Sequence, residues 1–263
     1  MNYNYICRNV ISAATEAGMF IQSEAVKFTP EKIELKGLHN FVSYVDKGAE
    51  KIIVDALRDI LPEAGFITEE GTAGHNGEEL KWIIDPLDGT TNFIHGIPAY
   101  SISIALMEGN QMVLGVVYEL NQKECFYAWK GSEAFLDGKQ IHVSKTEFIK
   151  DSLIATGFPY YDFEKMPGYM KSLDYILRNS HGARRLGSAA LDLAYVACGR
   201  FEAFYEYSLQ PWDVAAGTFI LQQAGGKTTD FKGGNDYIFG KELVSTNGLI
   251  HNEFMNIVTE HLI

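Results

Sequence analysis

The clearest capacity for chemistry lies in residues 81–93, which read Lys-Trp-Ile-Ile-Asp-Pro-Leu-Asp-Gly-Thr-Thr-Asn-Phe. The apolar, β-favouring residues 82–84 predict a short buried strand that ends at Asp85. Pro86 has no backbone N–H, so we expect the chain to leave the sheet there and to free the carbonyl group of Leu87 for another partner. The stretch therefore predicts a carboxylate and a carbonyl oxygen near each other at a strand end.

A second carboxylate, Asp88, opens the sequence Asp-Gly-Thr-Thr-Asn in residues 88–92. These residue types favour a tight turn, and the exposed backbone amides of such a turn suit an anion. Two carboxylates and a carbonyl oxygen are hard ligands of the kind that Mg²⁺ prefers, together with water and substrate phosphate oxygens. Residues 81–93 thus predict a site for Mg²⁺ and a phosphate group.

Two other interpretations of Asp85 and Asp88 remain open. Asp-Gly is a common turn dipeptide, although a turn needs neither two acids nor paired threonines. Phosphatases with an aspartyl nucleophile also carry two Asp residues after a buried strand, but a single residue separates that pair. Asp85 and Asp88 lie three positions apart, so on an extended chain they do not share the face that a nucleophile and its acid partner need.

Composition narrows the class of protein. The chain has 263 residues, and 22 Lys and Arg against 34 Asp and Glu give a net charge of −12, which argues against nucleic acid or an anionic membrane as the main partner. Three widely spaced cysteines indicate a reducing interior. With no signal-peptide pattern and no apolar run of membrane-spanning length, we expect a cytoplasmic protein without membrane insertion.

The elements before the 81–93 stretch are predicted from periodicity and turn residues. Helical spacing of apolar residues predicts a helix over 5–26, and extended runs follow at 32–36 and 40–45. Asp46 is expected to open a helix to about residue 60 as its N-cap, a role that does not exclude catalysis. A short β-like run at 66–68 ends in Glu69 and Glu70, and a polar loop over 71–80 follows. Beside the strand that carries Asp85, this glutamate pair becomes a candidate ligand.

After residue 93 the pattern changes from strands to alternating elements. Residues 101–129 predict an antiparallel meander, and an Asp-Gly hairpin follows at 135–141. From about residue 146, helices and strands alternate, with Ser188 capping one helix and Asp213 opening another. We therefore expect one domain over residues 1–263 with two fused lobes, approximately 1–145 (helices plus antiparallel sheet) and 146–263 (α/β).

Several other motifs are absent or weak. The seven histidines form no i, i+4 pair around a Glu, and there is no Gly-x-Ser-x-Gly or Walker-type loop. Arg184 and Arg185 have no flanking Gly-rich turns, so we expect a structural or subunit-contact role for them.

Three separated pieces of the chain resemble the inositol monophosphatase family, in the family's order and at similar separations. They are Glu69-Glu70, the run from Trp82 to Phe93, and Trp212-Asp213-Val-Ala-Ala-Gly continuing to Gly226. Residues 40–46 and 186–190 also look like family segments, so the likeness covers nearly the whole chain. It implies an alternating α-β-α-β-α sandwich of the α/β (α+β layered) class and a Mg²⁺-dependent phosphomonoesterase, commonly a homodimer and commonly inhibited by lithium.

The resemblance also implies a role for each matching residue. Glu69, Asp85 and the Leu87 carbonyl would hold one Mg²⁺, and Glu69 would also touch a third, mostly hydrated ion. Asp85, Asp88 and Asp213 would hold the second. Thr90, paired with Asp46, would orient and deprotonate the attacking water. The substrate-binding set would be Asp88, Gly89, Thr90, Thr91, Ser188, Ala189, Glu206 and Asp213.

Residues near the predicted site also bear on the choice of substrate. Glu206, seven residues before Asp213, favours myo-inositol 1-phosphate, because a carboxylate can accept two ring hydroxyls. Relatives acting on fructose 1,6-bisphosphate, 3′-phosphoadenosine 5′-phosphate or histidinol phosphate share the metal motifs. Gln210 and Gln223 depart from the commonest family pattern and bear on substrate preference. Lys36, ten residues before Asp46, is expected near the site. A hypothesis of another class is a regulatory, RNA-polymerase-associated binding protein with secondary catalysis, as occurs among bacterial relatives.

Overall fold

The structure is a computed structural model that describes residues 1–27, 33–37, 40–73 and 79–262, without the side chains of 33–37 and 40–43. The helices are α1 (Tyr3–Ala25), α2 (Tyr44–Ile60), α3 (Thr90–Ile94), α4 (Met166–Asn179), α5 (Ala189–Ala197), α6 (Pro211–Gln223) and α7 (His251–Leu262). The strands are β1 (Ile33–Gly37), β2 (Asn40–Ser43), β3 (Gly65–Thr68), β4 (Leu80–Asp88), β5 (Ser101–Glu108), β6 (Gln111–Glu119), β7 (Cys125–Trp129), β8 (Ala134–Leu136), β9 (Lys139–Ile141), β10 (Ile154–Thr156), β11 (Ala183–Arg184), β12 (Ala203–Tyr207), β13 (Lys227–Thr229) and β14 (Glu242–Thr246).

Two large sheets organise the molecule. The first has seven strands in the order β3-β4-β5-β6-β7-β8-β9 and is antiparallel except for the parallel pair β3 and β4. The second has five strands in the order β11-β10-β12-β14-β13 and is mixed. Strands β1 and β2 form a separate antiparallel pair.

The helices alternate with these sheets in layers. Helices α1 and α2 pack on one face of the seven-stranded sheet. Helices α5 and α6 lie between its other face and the five-stranded sheet. Helices α4 and α7 cover the outer face of the five-stranded sheet. The expected α-β-α-β-α sandwich is confirmed, and each helix layer buries the apolar side of a sheet.

Strand β4 belongs to two of these layers at once. Trp82 and Ile84 face the α1 and α2 side, whereas Ile83 between them faces the α5 and α6 side. The strand does not end at Asp85, as we predicted, but continues to Asp88 through a bulge. Asp85 pairs with Ser103 and Asp88 with Ser101, so three steps along β4 match two along β5. The extra residue re-aims both carboxylates.

Two further differences concern helix starts. The prediction that Asp46 is an N-cap was wrong, because α2 begins at Tyr44 and Asp46 lies buried in its first turn. Helix α6 likewise begins at Pro211 rather than at Asp213, which stands in the first turn. None of the helices in the described ranges combines the length and apolar character that crossing a membrane would require.

Candidate active site

A corner of carboxylates forms where β4 leaves the sheet. Asp85 is only 2% exposed, and its Oδ1 accepts a hydrogen bond from the Leu87 amide at 2.9 Å. Its electrostatic neighbours are Glu69, Asp88 and Asp213, which come from three other places in the chain. The structure therefore brings four of the predicted ligands into one electrostatic cluster.

The parallel pairing of β3 with β4 places Glu69 in this corner. Glu69 directly follows β3, and its backbone amide donates to the carbonyl oxygen of Ile84 at 3.2 Å. Because Ile84 is the residue before Asp85, the two acids lie at the same end of neighbouring strands.

Asp88 is fixed by the start of α5. Its Oδ2 accepts from the Ser188 hydroxyl at 2.7 Å and from the Ala190 amide at 2.8 Å. Ser188 is also the N-cap of α5, and its Oγ lies 3.0 Å from that of Ser101. Ser188 and Ala189 were predicted to meet substrate hydroxyls. In the structure the Ser188 hydroxyl is engaged with Asp88, and Ala189 is buried beside it.

Asp213 reaches the corner from the first turn of α6. Its Oδ2 accepts from the Gln210 amide at 2.7 Å, and the Gln210 side chain accepts in return from the Asp213 amide, forming a capping box. The Ser103 hydroxyl donates to the Trp212 carbonyl at 2.9 Å, which ties this turn to β5. Gln210 thus has a structural task beside Asp213.

Thr90 and Asp46 form the second functional unit. The Thr90 hydroxyl lies 2.9 Å from Asp46 Oδ1 and 2.9 Å from the Leu87 carbonyl oxygen, so its one proton can go to either. Gly89 precedes Thr90 with a φ of 96°, and a Cβ there would lie 3.0 Å from the Ala99 carbonyl oxygen. Thr91 follows, partly exposed, in α3.

A cleft opens in front of these groups as two adjoining cavities. The larger, about 160 Å³, is lined by Glu69, Asp213, Tyr160 and Tyr161 among others. The smaller, about 70 Å³, is lined by Asp88, Arg185, Asp192 and Glu206 among others. Tyr160, Glu206, Leu209 and Asp213 line both, so the cavities form one continuous cleft.

Glu206 stands at the junction of the two cavities and directly above Gly157. A Cβ at Gly157 would lie 2.0 Å from Glu206 Oε2, so any larger residue would displace the carboxylate. The close approach of this side chain to the backbone explains why the residue directly after β10 is a glycine.

Burial raises the pKa values of four acids in the cleft. Burial, reinforced by the charges of Glu69, Asp88 and Asp213, raises the pKa of Asp85 well above its ordinary range. Burial also raises the pKa of Asp213 well above that range. It raises the pKa of Asp88 to about 6, against the opposing hydrogen bonds from Ser188 and Ala190, and the pKa of Glu206 to about 8.

These groups fit a divalent cation by their chemistry. In the described ranges no group of three or more His, Cys, Asp or Glu side chains is already arranged to hold a metal ion. The cluster nevertheless consists of oxygen donors only, and its members raise one another's energy when ionised. A divalent cation would replace that repulsion by attraction and draw the carboxylates together, as Mg²⁺ sites require.

We expect metal-free protein to lose stability as pH rises. The pKa values of Asp85, Asp88, Glu206 and Asp213 in the folded protein lie above the unfolded value of about 4. The contribution of each of these acids to stability is therefore complete below pH 4. That contribution is lost as pH rises through the folded values, about 6 for Asp88 and about 8 for Glu206. The measurement is the melting temperature between pH 5 and 8.5, in EDTA and in Mg²⁺.

The gap between the two melting curves should widen with pH, because the cation cancels charge that appears only on deprotonation. The difference between the two curves cancels the contribution of titratable groups far from the cleft, such as His251, whose pKa is lowered to about 4 by burial. A gap that stays constant or narrows toward pH 8.5 would contradict the charge repulsion inferred for the cleft.

Three cleft residues were not identified from the sequence. Arg185 lines the smaller cavity, although we expected only a structural or subunit-contact role for it. Arg184 on β11 does not line that cavity, and both arginines are exposed. Asp192 was missed, although a lone acid in the apolar run 189–197 is a usable signal. Tyr160 follows a Gly-Phe-Pro segment with no chemical pattern of its own.

Gln223, which was considered for substrate preference, lies outside the cleft, and the expectation that Lys36 is near the site is not tested. Gln223 is at the far end of α6 from Asp213 and lines a separate cavity of about 370 Å³. Lys36 lies in β1, and its side chain falls outside the described part of the structure.

Comparison with known proteins gives one consistent result. The profile described as "Inositol monophosphatase family" matches residues 4–262. The chain is 38% identical over 260 residues to a Neisseria meningitidis protein named "Putative Nus factor SuhB", covering 98% of this chain and 100% of that one. It is 40% identical over 231 residues to a Thermotoga maritima protein named "Fructose-1,6-bisphosphatase/inositol-1-monophosphatase", covering 88% and 87%.

A solved structure agrees with the sequence comparisons. The chain superposes on the extragenic suppressor protein suhB of Bartonella henselae with a TM-score of 0.93 and 37% identity, covering 97% of this chain and 99% of that one. The layered fold and the order of its elements are therefore shared along nearly the full length.

Proposed function

Because this chain belongs to the inositol monophosphatase family, we propose that it is a Mg²⁺-dependent phosphatase that hydrolyses myo-inositol 1-phosphate to myo-inositol and phosphate. One observation carries the proposal: Asp85, Asp88 and Asp213 interact electrostatically in a buried corner next to the hydrogen-bonded pair Thr90 and Asp46. The family match supports the phosphatase class, and the acids support the metal requirement.

The chain offers ligands for two principal ions. Glu69, Asp85 and the Leu87 carbonyl would hold the first, and Asp85, Asp88 and Asp213 the second, with Glu69 near a third. Bound there, Mg²⁺ would supply positive charge that offsets the phosphate, acidifies water and stabilises the leaving oxygen. Ser188 and Ala190 hold one oxygen of Asp88, which leaves its other oxygen for this task.

The proton of the attacking water has a route in Thr90 and Asp46. The Thr90 hydroxyl donates to Asp46 Oδ1 over 2.9 Å and can accept a hydrogen bond from water. As the water attacks, its proton passes to the Thr90 oxygen while the Thr90 proton passes to Asp46. Asp46 is fully buried, so bulk water does not compete for that proton.

Substrate binding divides between the phosphate and the alcohol. We assign the phosphate to the backbone amides of Gly89 and Thr90 and to Thr91, at the turn that follows β4. We assign the ring hydroxyls to Glu206, whose carboxylate lines both cavities in front of the acidic corner. Two acceptor oxygens on one side chain suit neighbouring hydroxyls of a polyol.

The proposal is tested by a panel of phosphate esters assayed with Mg²⁺ and with EDTA. It contains myo-inositol 1-phosphate, fructose 1,6-bisphosphate, 3′-phosphoadenosine 5′-phosphate and histidinol phosphate. We expect the highest kcat/KM on myo-inositol 1-phosphate and none in EDTA. Failure on that ester alongside strong activity on a bisphosphate would overturn the substrate assignment, and full activity in EDTA would overturn the metal requirement.

The Glu206→Gln variant should bind the alcohol part of the substrate more weakly and leave phosphate binding unchanged. The shape is retained above Gly157, but one of the two acceptor oxygens is replaced by an amide that only donates, so KM for myo-inositol 1-phosphate should rise by roughly 10-fold or more while kcat changes little. Steady-state kinetics on the variant provides the measurement. A kcat loss at unchanged KM would mean that Glu206 acts on the reaction itself and not on the alcohol.

A second candidate function is a regulatory one with secondary catalysis. It is favoured by the 38% identity to a protein named "Putative Nus factor SuhB". The two candidates are distinguished by complementation of a strain that lacks the gene. We expect the Asp88→Asn variant to be inactive but folded. It should restore wild-type growth of that strain only if the regulatory role is the one that matters. The net charge of −12 argues against direct nucleic-acid contact in either case.

Family membership also supports proposals that the fold alone does not test. We propose that the protein is inhibited by lithium, forms a homodimer and works in the cytoplasm. Its cofactor would then be two or three Mg²⁺ ions drawn from that compartment.

A further inference from the structure

The smaller cavity of the cleft contains an acid that the proposed mechanism does not use. Asp192 lies on α5, is only 1% exposed and lines this cavity beside Glu206 and Arg185. Its Oδ1 is buried and has no hydrogen-bond partner among the described residues. The rest of α5 is apolar apart from this one side chain.

An unpartnered carboxylate oxygen in such a place needs an explanation. Leaving a buried acceptor without a donor destabilises the folded state, and native structures rarely keep one without a functional reason. The electrostatic neighbours of Asp192 include the acids Glu206 and Asp88, and neither is hydrogen-bonded to its Oδ1. A molecule that enters the cavity is therefore placed to supply the missing partner.

We propose that Asp192 is a specificity-determining residue that accepts a hydrogen bond from a hydroxyl group of the leaving alcohol, beside the hydroxyl bound by Glu206. This inference rests on the proposed phosphatase function and deepens it. A hydroxyl donates a proton to a waiting acceptor, whereas the oxygens of a phosphate dianion only accept. Asp192 thus favours a polyol monoester and disfavours a leaving group that carries a second phosphate.

Arg185 does not reverse this preference. Its charge opposes the rise in pKa that burial causes at Asp88, Asp192 and Glu206. A second phosphate in the cavity would have to compete with these three acids for one guanidinium group.

The test compares two substrates across matched variants. Asp192→Leu removes the acceptor while keeping the branched shape of the side chain, and Asp192→Asn keeps one acceptor oxygen. We expect Asp192→Leu to lower kcat/KM for myo-inositol 1-phosphate by about 10-fold or more, through KM, and to leave phenyl phosphate, which has no ring hydroxyls, unchanged. Asp192→Asn should retain most of the activity on the inositol ester.

Thr218→Val is the control, because Thr218 is equally buried on α6 and bonds only to backbone carbonyls of its own helix. Thr218→Val should leave the ratio of the kcat/KM values for the two substrates unchanged. Equal losses on both substrates for Asp192→Leu, or an unchanged KM for the inositol ester, would overturn the inference while leaving the phosphatase proposal intact. If the wild type prefers fructose 1,6-bisphosphate to myo-inositol 1-phosphate, the substrate assignment and this inference both fail, while the phosphatase class stands.

Discussion

The Asp85→Asn variant is expected to lose more than about 100-fold in kcat while its metal-free form unfolds at a higher temperature than the wild type. Asp85 is the most deeply buried acid of the corner and the one next to Glu69, Asp88 and Asp213. Asparagine keeps the shape and can still accept from the Leu87 amide, but it has no charge to bind a cation or to repel its neighbours. One substitution should therefore harm catalysis and help the empty fold.

The measurement combines kcat in Mg²⁺ with melting temperatures in EDTA and in Mg²⁺. The stabilisation by Mg²⁺ should shrink or vanish in Asp85→Asn, because a ligand stabilises only in proportion to its binding. Asp174→Asn serves as control, since Asp174 is an exposed acid paired with Arg178 on α4. Near-normal turnover, or a metal-free variant less stable than wild type, would show that Asp85 is not a metal ligand in a repulsive cluster.

Thr90→Val should lower kcat by roughly 10²- to 10⁴-fold with little change in KM, the range expected when a general-base relay is lost. Valine matches threonine in shape but cannot pass a proton from water to Asp46, which lies 2.9 Å from the native hydroxyl. Thr90→Ser keeps the hydroxyl and should recover most of kcat. The rescue separates proton transfer from packing in α3.

Pre-steady-state and steady-state rates on both variants decide the matter, with melting temperatures to confirm folding. If Thr90→Val keeps kcat within tenfold of wild type, or if serine is as damaging as valine, the pair Thr90 and Asp46 is not the proton route. A loss expressed only in KM would assign Thr90 to phosphate binding instead.

The part of the site that could be predicted from sequence is the part encoded locally. Asp85 and Asp88 stand next to a strand pattern and a proline, so their position near the end of a strand followed from residues 82–88 alone, although β4 extends to Asp88 and does not end at Asp85. The layered fold was predicted through family resemblance and is confirmed. The β4 bulge was not predicted, because it depends on the pairing of Asp85 with Ser103 and of Asp88 with Ser101.

Contacts between distant segments explain the remaining differences. Asp46 was mistaken for an N-cap because an acid near a helix start has that role most often. Its bond to Thr90, 44 positions away, was implied by the family resemblance and not by any local pattern. Arg185 reads as an isolated basic residue until α5 and β12 place it in one cavity with Asp192 and Glu206. No periodicity in the sequence encodes that meeting.

The most direct test of the carboxylate corner is a crystal structure grown with Mn²⁺ in place of Mg²⁺, with anomalous scattering used to locate the ions. Mn²⁺ takes the same oxygen ligands. We expect anomalous peaks within coordination distance of Asp85, Asp88 and Asp213, and of Glu69 with the Leu87 carbonyl. A map without peaks at this corner, at Mn²⁺ concentrations that support turnover, would contradict the assignment of these acids as the catalytic metal site.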